Sequence, residues 1–132
     1  MPLDPTVKAL ATEGKNFAAL TTLLKDGSPS THVMWVHADD DRILINTEVH
    51  RAKYKRVQRD PRVALAIIDA ANPYRYVEVR GQVVEEVHGE DARRDIDFLS
   101  KKYTGNDEYQ NEIQSSRVIL KISVDKVTGM NV

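Results

Sequence analysis

The sequence predicts a mainly β (α+β) domain, a six-stranded antiparallel barrel with peripheral helices. Three observations predict it. Runs of β-branched, apolar and aromatic residues recur along the 132 residues, each of a length that suits one strand. Several breaks between them are short turn signals, such as Lys25-Asp26-Gly27 and Asp39-Asp40-Asp41, so consecutive strands pair as hairpins and not across helical crossovers. Helical spacing is confined to three or four separate stretches. There is no repeat, low-complexity tract or linker, and residues 1–132 are expected to form a single domain.

Each element follows from local signals. Asp4 is placed to cap a helix that carries Pro5 at its first position and stops at Gly14. Asn16 to Leu24 reads as the first strand. Pro29 to His37 is the second, with proline only at its start. Arg42 to Thr47 is the third. Helical spacing runs from about His50 to Arg59, and Asp60-Pro61 ends it. Arg62 to Asp69 is the fourth strand, and Asn72-Pro73 breaks the chain. Tyr74 to Val87 is a long fifth strand. Gly89 to Tyr103 reads as a helix with Ile96 and Leu99 one turn apart. Thr104 to Ser116 is polar and is expected to carry a short helical turn. Arg117 to Val127 closes the chain as the sixth strand.

The second strand presents His32, Met34 and Val36 on one face and Val33, Trp35 and His37 on the other. Both faces carry large apolar groups. The barrel interior covers one; a helix or a second copy of the chain is needed for the other. A homodimer is expected on this ground.

Composition narrows the function. A net charge of −1 argues against a general nucleic-acid binder. There is no cysteine, which excludes disulfides, thiolate catalysis and Cys-based metal sites. No apolar run approaches the ~18 residues of a membrane span. The first residues, with Leu3-Asp4-Pro5, lack the pattern of a signal peptide, so a cytoplasmic protein is expected. Phosphate-binding glycine motifs, G-x-S-x-G and H-E-x-x-H are absent. His32 and His37 fall on opposite strand faces and cannot share a metal there; each of the four histidines reads as a surface or satisfied residue. Glu90-Asp91 suits a helix N-terminus. Hard chemistry would therefore come from a bound cofactor.

One feature survives this filter. From Arg51 to Arg62 stand six Lys/Arg and one Asp, while the remaining chain holds 13 Lys/Arg against 19 Asp/Glu. Like charges gathered in one place repel each other and serve to meet an anion. Thr47 is expected to cap the following helix, which puts Arg51 and Lys53 at its positive end. Cations there cost ~0.3–1 kcal/mol each unless an anion binds, and Glu48 offsets part of that. Arg51, Lys55 and Arg59 share one helix face, with Tyr54 and Val57 on the buried side. A solvated face and a nucleic-acid patch are the alternatives. A phosphate-bearing small molecule fits best, because the cluster directly follows a strand end.

The ordered segments then become distinctive. They are Phe17-x-x-Leu20-x-Thr22-x-x-x-Asp26-Gly27-x-Pro29, Val33-x-Trp35-Val36, Ile43-x-Ile45-Asn46-Thr47, Arg51-x-Lys53, Asp60-Pro61-Arg62-Val63-Ala64-Leu65, and the block from Asn72 to Gly81. Over residues 10 to 127 this resembles the pyridoxamine 5′-phosphate oxidase-like superfamily, and within it the coenzyme F420 (deazaflavin)-dependent oxidoreductases of actinobacteria.

The resemblance implies an FMN-binding-type split β-barrel and a homodimer with cofactor sites at the subunit interface. It implies that Thr47, Arg51 and Lys53 hold the cofactor phosphate. Ser30, Thr31, His32 and Val33 would flank the ring, with Ile45 and Asn46 from the third strand and Ala66, Ile67 and Ile68 from the fourth. Tyr74 and Arg75 would lie near the site from the partner. The family's pyridoxamine phosphate oxidases carry further C-terminal substrate residues, including a Trp and an Arg, that this sequence lacks; vitamin B6 oxidation is not expected. FMN brings one phosphate monoester, whereas coenzyme F420 adds a glutamate tail that Lys55, Arg56 and Arg59 would suit. The expectation is hydride transfer from reduced deazaflavin to an electron-poor, unsaturated small molecule, with FMN as the alternative cofactor and a non-catalytic cofactor binder as the other rival. Tyr74, Tyr76 and His32 are the candidates for proton donation; no catalytic residue is assigned.

Overall fold

Asp4 accepts hydrogen bonds from the backbone N–H groups of Thr6 and Val7, and Pro5 opens α1, Pro5–Thr12. This is a computed structural model describing residues 2–132; Met1, counted in the single-domain expectation, lies outside the described residues. Val7, Leu10 and Ala11 form the buried stripe of α1. Alternating burial then marks β1, Phe17–Leu23, with Ala18, Leu20 and Thr22 inward. The remaining elements are β2 (Pro29–Trp35), β3 (His37–Ala38), β4 (Ile43–Glu48), α2 (Ala52–Arg59), β5 (Arg62–Ile68), β6 (Tyr76–His88), α3 (Glu90–Thr104), β7 (Arg117–Ile122) and β8 (Lys126–Met130).

All strand pairs are antiparallel, in the order β2-β1-β5-β6-β7-β4-β3, with β8 added to β6. The two ends of this order, β2 and β3, are joined through the wholly buried Val36. The sheet therefore curls back on itself as the split β-barrel expected. Leu20, Leu65, Ile67, Val77 and Val79 from one half meet Ile43, Ile45, Leu120 and Ile122 from the other. Full burial of each such side chain contributes about 1.5–3 kcal/mol. No helix is long and apolar enough to cross a membrane among the described residues.

Among the described residues eight strands form where six were expected. The second run bends at Val36, so His37 and Ala38 leave β1 and pair with β4. The last run breaks at Ser123–Asp125, and β8 returns to the first half of β6 while β7 pairs with its second half. Gly81 permits this crossing: a Cβ there would lie 1.7 Å from the Ser123 carbonyl oxygen. The fifth strand begins at Tyr76, because residues 69–75 are spent on a turn closed by Asp69 and Arg75. No helical turn forms between Gly105 and Ser116. Side chains take the N–H groups there: Asp97 binds Tyr109, and Glu48 binds Gln114 and Ser115. Glu90 and Asp91 occupy the first turn of α3 as expected.

Candidate functional site

Past the bend at Val36, β2 and β4 diverge and share no ladder. This opens a cleft of about 290 Å³. Phe17, Val33, Met34, Trp35, Ile96 and Leu99 give it apolar walls, and Asn46, Arg51, Asn111 and Arg117 give it polar ones. Tyr109 completes it, edge-on to Trp35 at 6.1 Å, while Trp35 stacks on Tyr103 at 5.2 Å.

The basic helix sits beside this opening. Val57 is buried and Tyr54 packs against the core, donating its hydroxyl to Glu86 at 2.9 Å. Thr47 does not cap α2, contrary to expectation. The cap position is Arg51, with no side-chain capping bond, because residues 48–50 form a turn in which Arg51 N–H donates to the Glu48 carbonyl. Thr47 instead points inward with Ile43 and Ile45. Its Oγ1 is buried with no hydrogen-bond partner. Alternation along β4 sends Asn46 and Glu48 to the opposite face.

Glu48 does more than offset the helix charge. Its side chain is 1% exposed. Oε1 accepts from the N–H groups of Gln114 and Ser115, both at 2.8 Å. Oε2 accepts from Arg51 and Arg117, both at 3.3 Å. Burial pushes this carboxyl up, and the two N–H donors with the Arg117 and Arg51 charges overcome it, leaving it below the ordinary range. Lys53 is half-buried. Burial depresses its ammonium, and the neighbouring charges of Arg51, Arg117 and Arg56 depress it further. Among the described residues no carboxylate lies within salt-bridge distance of Lys53, Lys55, Arg56 or Arg59.

The basic cluster that begins at Arg51 divides between two openings. Arg51 lines the cleft, whereas Lys55, Arg56 and Arg59 line a groove of about 500 Å³ with Leu24, Lys25, Asp26 and Ala52. Arg56 donates to Ser30 Oγ at 3.2 Å and Arg59 to the Leu23 carbonyl at 3.2 Å, fixing α2 to the β1–β2 turn.

The other expected residues fall as follows. Thr31, His32 and Val33 are exposed on β2, with Thr31 Oγ1 2.7 Å from Thr21 Oγ1. Ile45 and Ile67 have fully buried side chains, so only their backbone is available to a ligand. Ala66 and Ile68 lie on the outer sheet face, in register with Ala19 and Phe17. Tyr74 is 73% exposed, and Arg75 pairs with Asp69 at 3.2 Å; both stand at the β5–β6 turn and neither lines the cleft of its own chain. Asn46 lines the cleft with its amide committed: Nδ2 donates to the Ala92 carbonyl and to Asp95, both at 2.9 Å.

Arg117, Tyr109 and Asn111 are cleft residues that sequence reasoning did not single out, and Arg117 is the charged one. A charged residue opening the apolar run Val118-Ile119-Leu120 was the available signal. His37 departs from the expectation for histidines: its Nδ1 is buried without a partner, and burial followed by the Lys102 charge lowers its proton affinity.

An orphaned buried hydroxyl, a half-buried lysine among guanidinium groups and an uncapped helix start suit a phosphate ester, so these residues fit the cofactor that the fold implies. A solved structure described as an F420 reductase superposes with a TM-score of 0.76 at 29% identity, covering 95% of this chain and 98% of that one. A conserved hypothetical protein of Mycobacterium tuberculosis (TM-score 0.74, 21% identity, 98% and 85% covered) shares the fold. So does a putative pyridoxamine 5′-phosphate oxidase of Listeria innocua (0.69, 21%, 96% and 97%). No curated protein matches the sequence. The sequence pattern of the pyridoxamine 5′-phosphate oxidase family runs from residue 3 to residue 131, across the whole split barrel, and the chain therefore belongs to that family of flavin- or deazaflavin-type oxidoreductases.

Proposed function

We propose that the protein is a coenzyme F420-dependent reductase acting on an electron-poor, unsaturated small molecule. The observation that carries this reading is the run of cations along α2 from Arg51 in the cleft wall through the half-buried Lys53 to Lys55, Arg56 and Arg59 in the groove, of which only Arg51 has a carboxylate within salt-bridge distance among the described residues. A phosphate monoester needs only the first pair; a phosphodiester extended by carboxylates uses the second set as well. The relative described as an F420 reductase, nearly coextensive with this chain, supports the same choice. FMN is the second reading, favoured by the family pattern itself.

When bound, the reduced deazaflavin supplies a hydride. The chain's own residues bind and orient. Thr47 Oγ1, Lys53 and Arg51 would hold the phosphate, and Ser30, Thr31, His32 and Val33 would flank the ring from β2. Trp35, Met34 and Leu99 would exclude water from the cleft.

A homodimer is part of the proposal. Trp35, Phe17, Ile68, Tyr76 and Met130 follow one another in register across the outer face of β2, β1, β5, β6 and β8, and Phe17 and Met130 stay exposed there although Tyr103 of α3 stacks on Phe17. Val33 is 69% exposed there. A second copy would bury this face and could bring Tyr74 and Arg75 to the neighbouring cleft. The cysteine-free sequence supports a cytoplasmic location.

Fluorescence titration with coenzyme F420 and with FMN tests the reading. Lys53→Ala is expected to weaken coenzyme F420 binding at least about tenfold while the melting curve stays cooperative. Unchanged affinity removes the phosphate role of Lys53. Tight FMN binding without coenzyme F420 binding turns the assignment to the second reading.

A further inference from the structure

Arg117 is a buried cation without a carboxylate of its own. Its side chain is 4% exposed, at the start of a strand whose Val118, Leu120 and Ile122 are wholly buried. Nε donates to Asn46 Oδ1 at 2.8 Å and Nη1 to Glu48 Oε2 at 3.3 Å. That same Glu48 oxygen is claimed by Arg51 at 3.3 Å. Two guanidinium groups thus share one carboxylate oxygen, with Lys53 and Arg56 adding positive charge beside them. Burying an unbalanced cation is costly, and a packing role alone would be served as well by an apolar side chain. A guanidinium has five N–H donors in a planar fork, and Asn46 and Glu48 take only part of them. The fork lies in the wall of the cleft that Arg51 also lines, over the ring of Tyr109 at 5.2 Å.

Asn46 is built to hold that fork. Both its amide donations are fixed, to the Ala92 carbonyl and to Asp95, so its Oδ1 can face only one way. Asp95, Asn46, Arg117 and Glu48 form a continuous hydrogen-bonded line from α3 across β4 and β7.

We propose that Arg117 is a third cationic ligand of the cofactor phosphate, with Asn46 and Glu48 as its positioning residues. This rests on the reading of the cleft as the cofactor site. Arg51 approaches the anion from the helix start and Arg117 from the opposite strand, which places fixed donors on two sides of it.

The test is a titration of the wild type, Arg117→Gln, Arg117→Lys, Asn46→Ala and the Asn46→Ala/Arg117→Gln double variant. Coenzyme F420 and FMN serve as probes, each at low and at high salt. Arg117→Gln is expected to lose about 10- to 100-fold in affinity and to show a flatter salt dependence. Arg117→Lys recovers part of the affinity and the wild-type salt dependence. Asn46→Ala loses about tenfold, and the double variant is no weaker than Arg117→Gln, as residues acting through one another require. A cooperatively melting Arg117→Gln that binds within about twofold of wild type, with unchanged salt dependence, overturns the proposal. If Arg117→Gln does not melt cooperatively, Asn46→Ala carries the test, since it leaves the charge in place; wild-type affinity there overturns the proposal too. A wild type that binds neither probe overturns the proposed function and this inference with it, whereas a binding wild type with an indifferent Arg117 overturns this inference alone.

Discussion

Thr47→Val separates the cost of the site from its use. Thr47 is fully enclosed and its Oγ1 has no hydrogen-bond partner among the described residues. A buried hydroxyl without a partner costs about 1–3 kcal/mol. Valine keeps the β-branched shape that suits β4 and replaces the hydroxyl with a methyl. Even at the low end of that range the substitution stabilises the ligand-free protein by about 1 kcal/mol. For a chain of this length that raises Tm by about 3–5 °C. The bound protein responds in the opposite direction. A hydrogen bond to a charged oxygen is worth about 1.5–3 kcal/mol, so cofactor affinity falls about 10- to 100-fold. Scanning calorimetry with and without coenzyme F420 reads both effects: the ligand-free Tm rises and the ligand-induced increment shrinks. A ligand-free Tm below that of wild type refutes the claim that the hydroxyl is unsatisfied. An unchanged increment refutes its role in holding the phosphate.

Three further outcomes follow from the same structure. Tyr103 donates its hydroxyl to the Asn16 carbonyl and accepts from Val36 N–H at 3.2 Å, so Tyr103→Phe leaves buried groups unpaired; chemical denaturation is expected to show a loss of about 1–3 kcal/mol. Glu48 is held below its ordinary value of 4.5, so the stability it contributes is present above that pH and is lost as pH falls through the folded value. Tm should fall on acidification below pH 4.5, with a shallower fall in Glu48→Gln; equal slopes in the two proteins count against the linkage. Val33→Glu places a charge on an exposed apolar position of the outer sheet face and should convert a dimer to a monomer in sedimentation velocity, with an unchanged sedimentation coefficient as the contrary result.

The barrel was legible where one local signal decides the backbone. Asp4 with Pro5 can do little except start a helix, and Tyr54 with Val57 leaves one way for α2 to face the core. The strand count was not legible, because it turns on contacts between distant segments. Val36 continues the alternation of β2, yet the chain bends there to reach β4. Gly81 inside a long β run was the one trace of the crossing with Ser123. The site divides in the same way. Arg51 and Lys53 stood out as charge in excess, while Arg117 lies sixty-odd residues further on and becomes their neighbour only through the pairing of β4 with β7. Thr47 showed its position and hid its role: the cap it resembles is pre-empted by the 48–50 turn, and only burial reveals the idle hydroxyl. The family resemblance put Ile45 and Ile67 at the site, but the two-residue period of a strand turns their side chains into the core.

In the proposed function the cleft and its neighbouring groove together hold a deazaflavin cofactor with an extended anionic tail. Parallel equilibrium titrations of the wild-type protein with coenzyme F420 and FMN, at low and high salt, test it most directly. Tighter binding of coenzyme F420 than of FMN is expected, with the preference narrowing as salt screens Lys55, Arg56 and Arg59. FMN binding that exceeds coenzyme F420 binding at every salt concentration would contradict it.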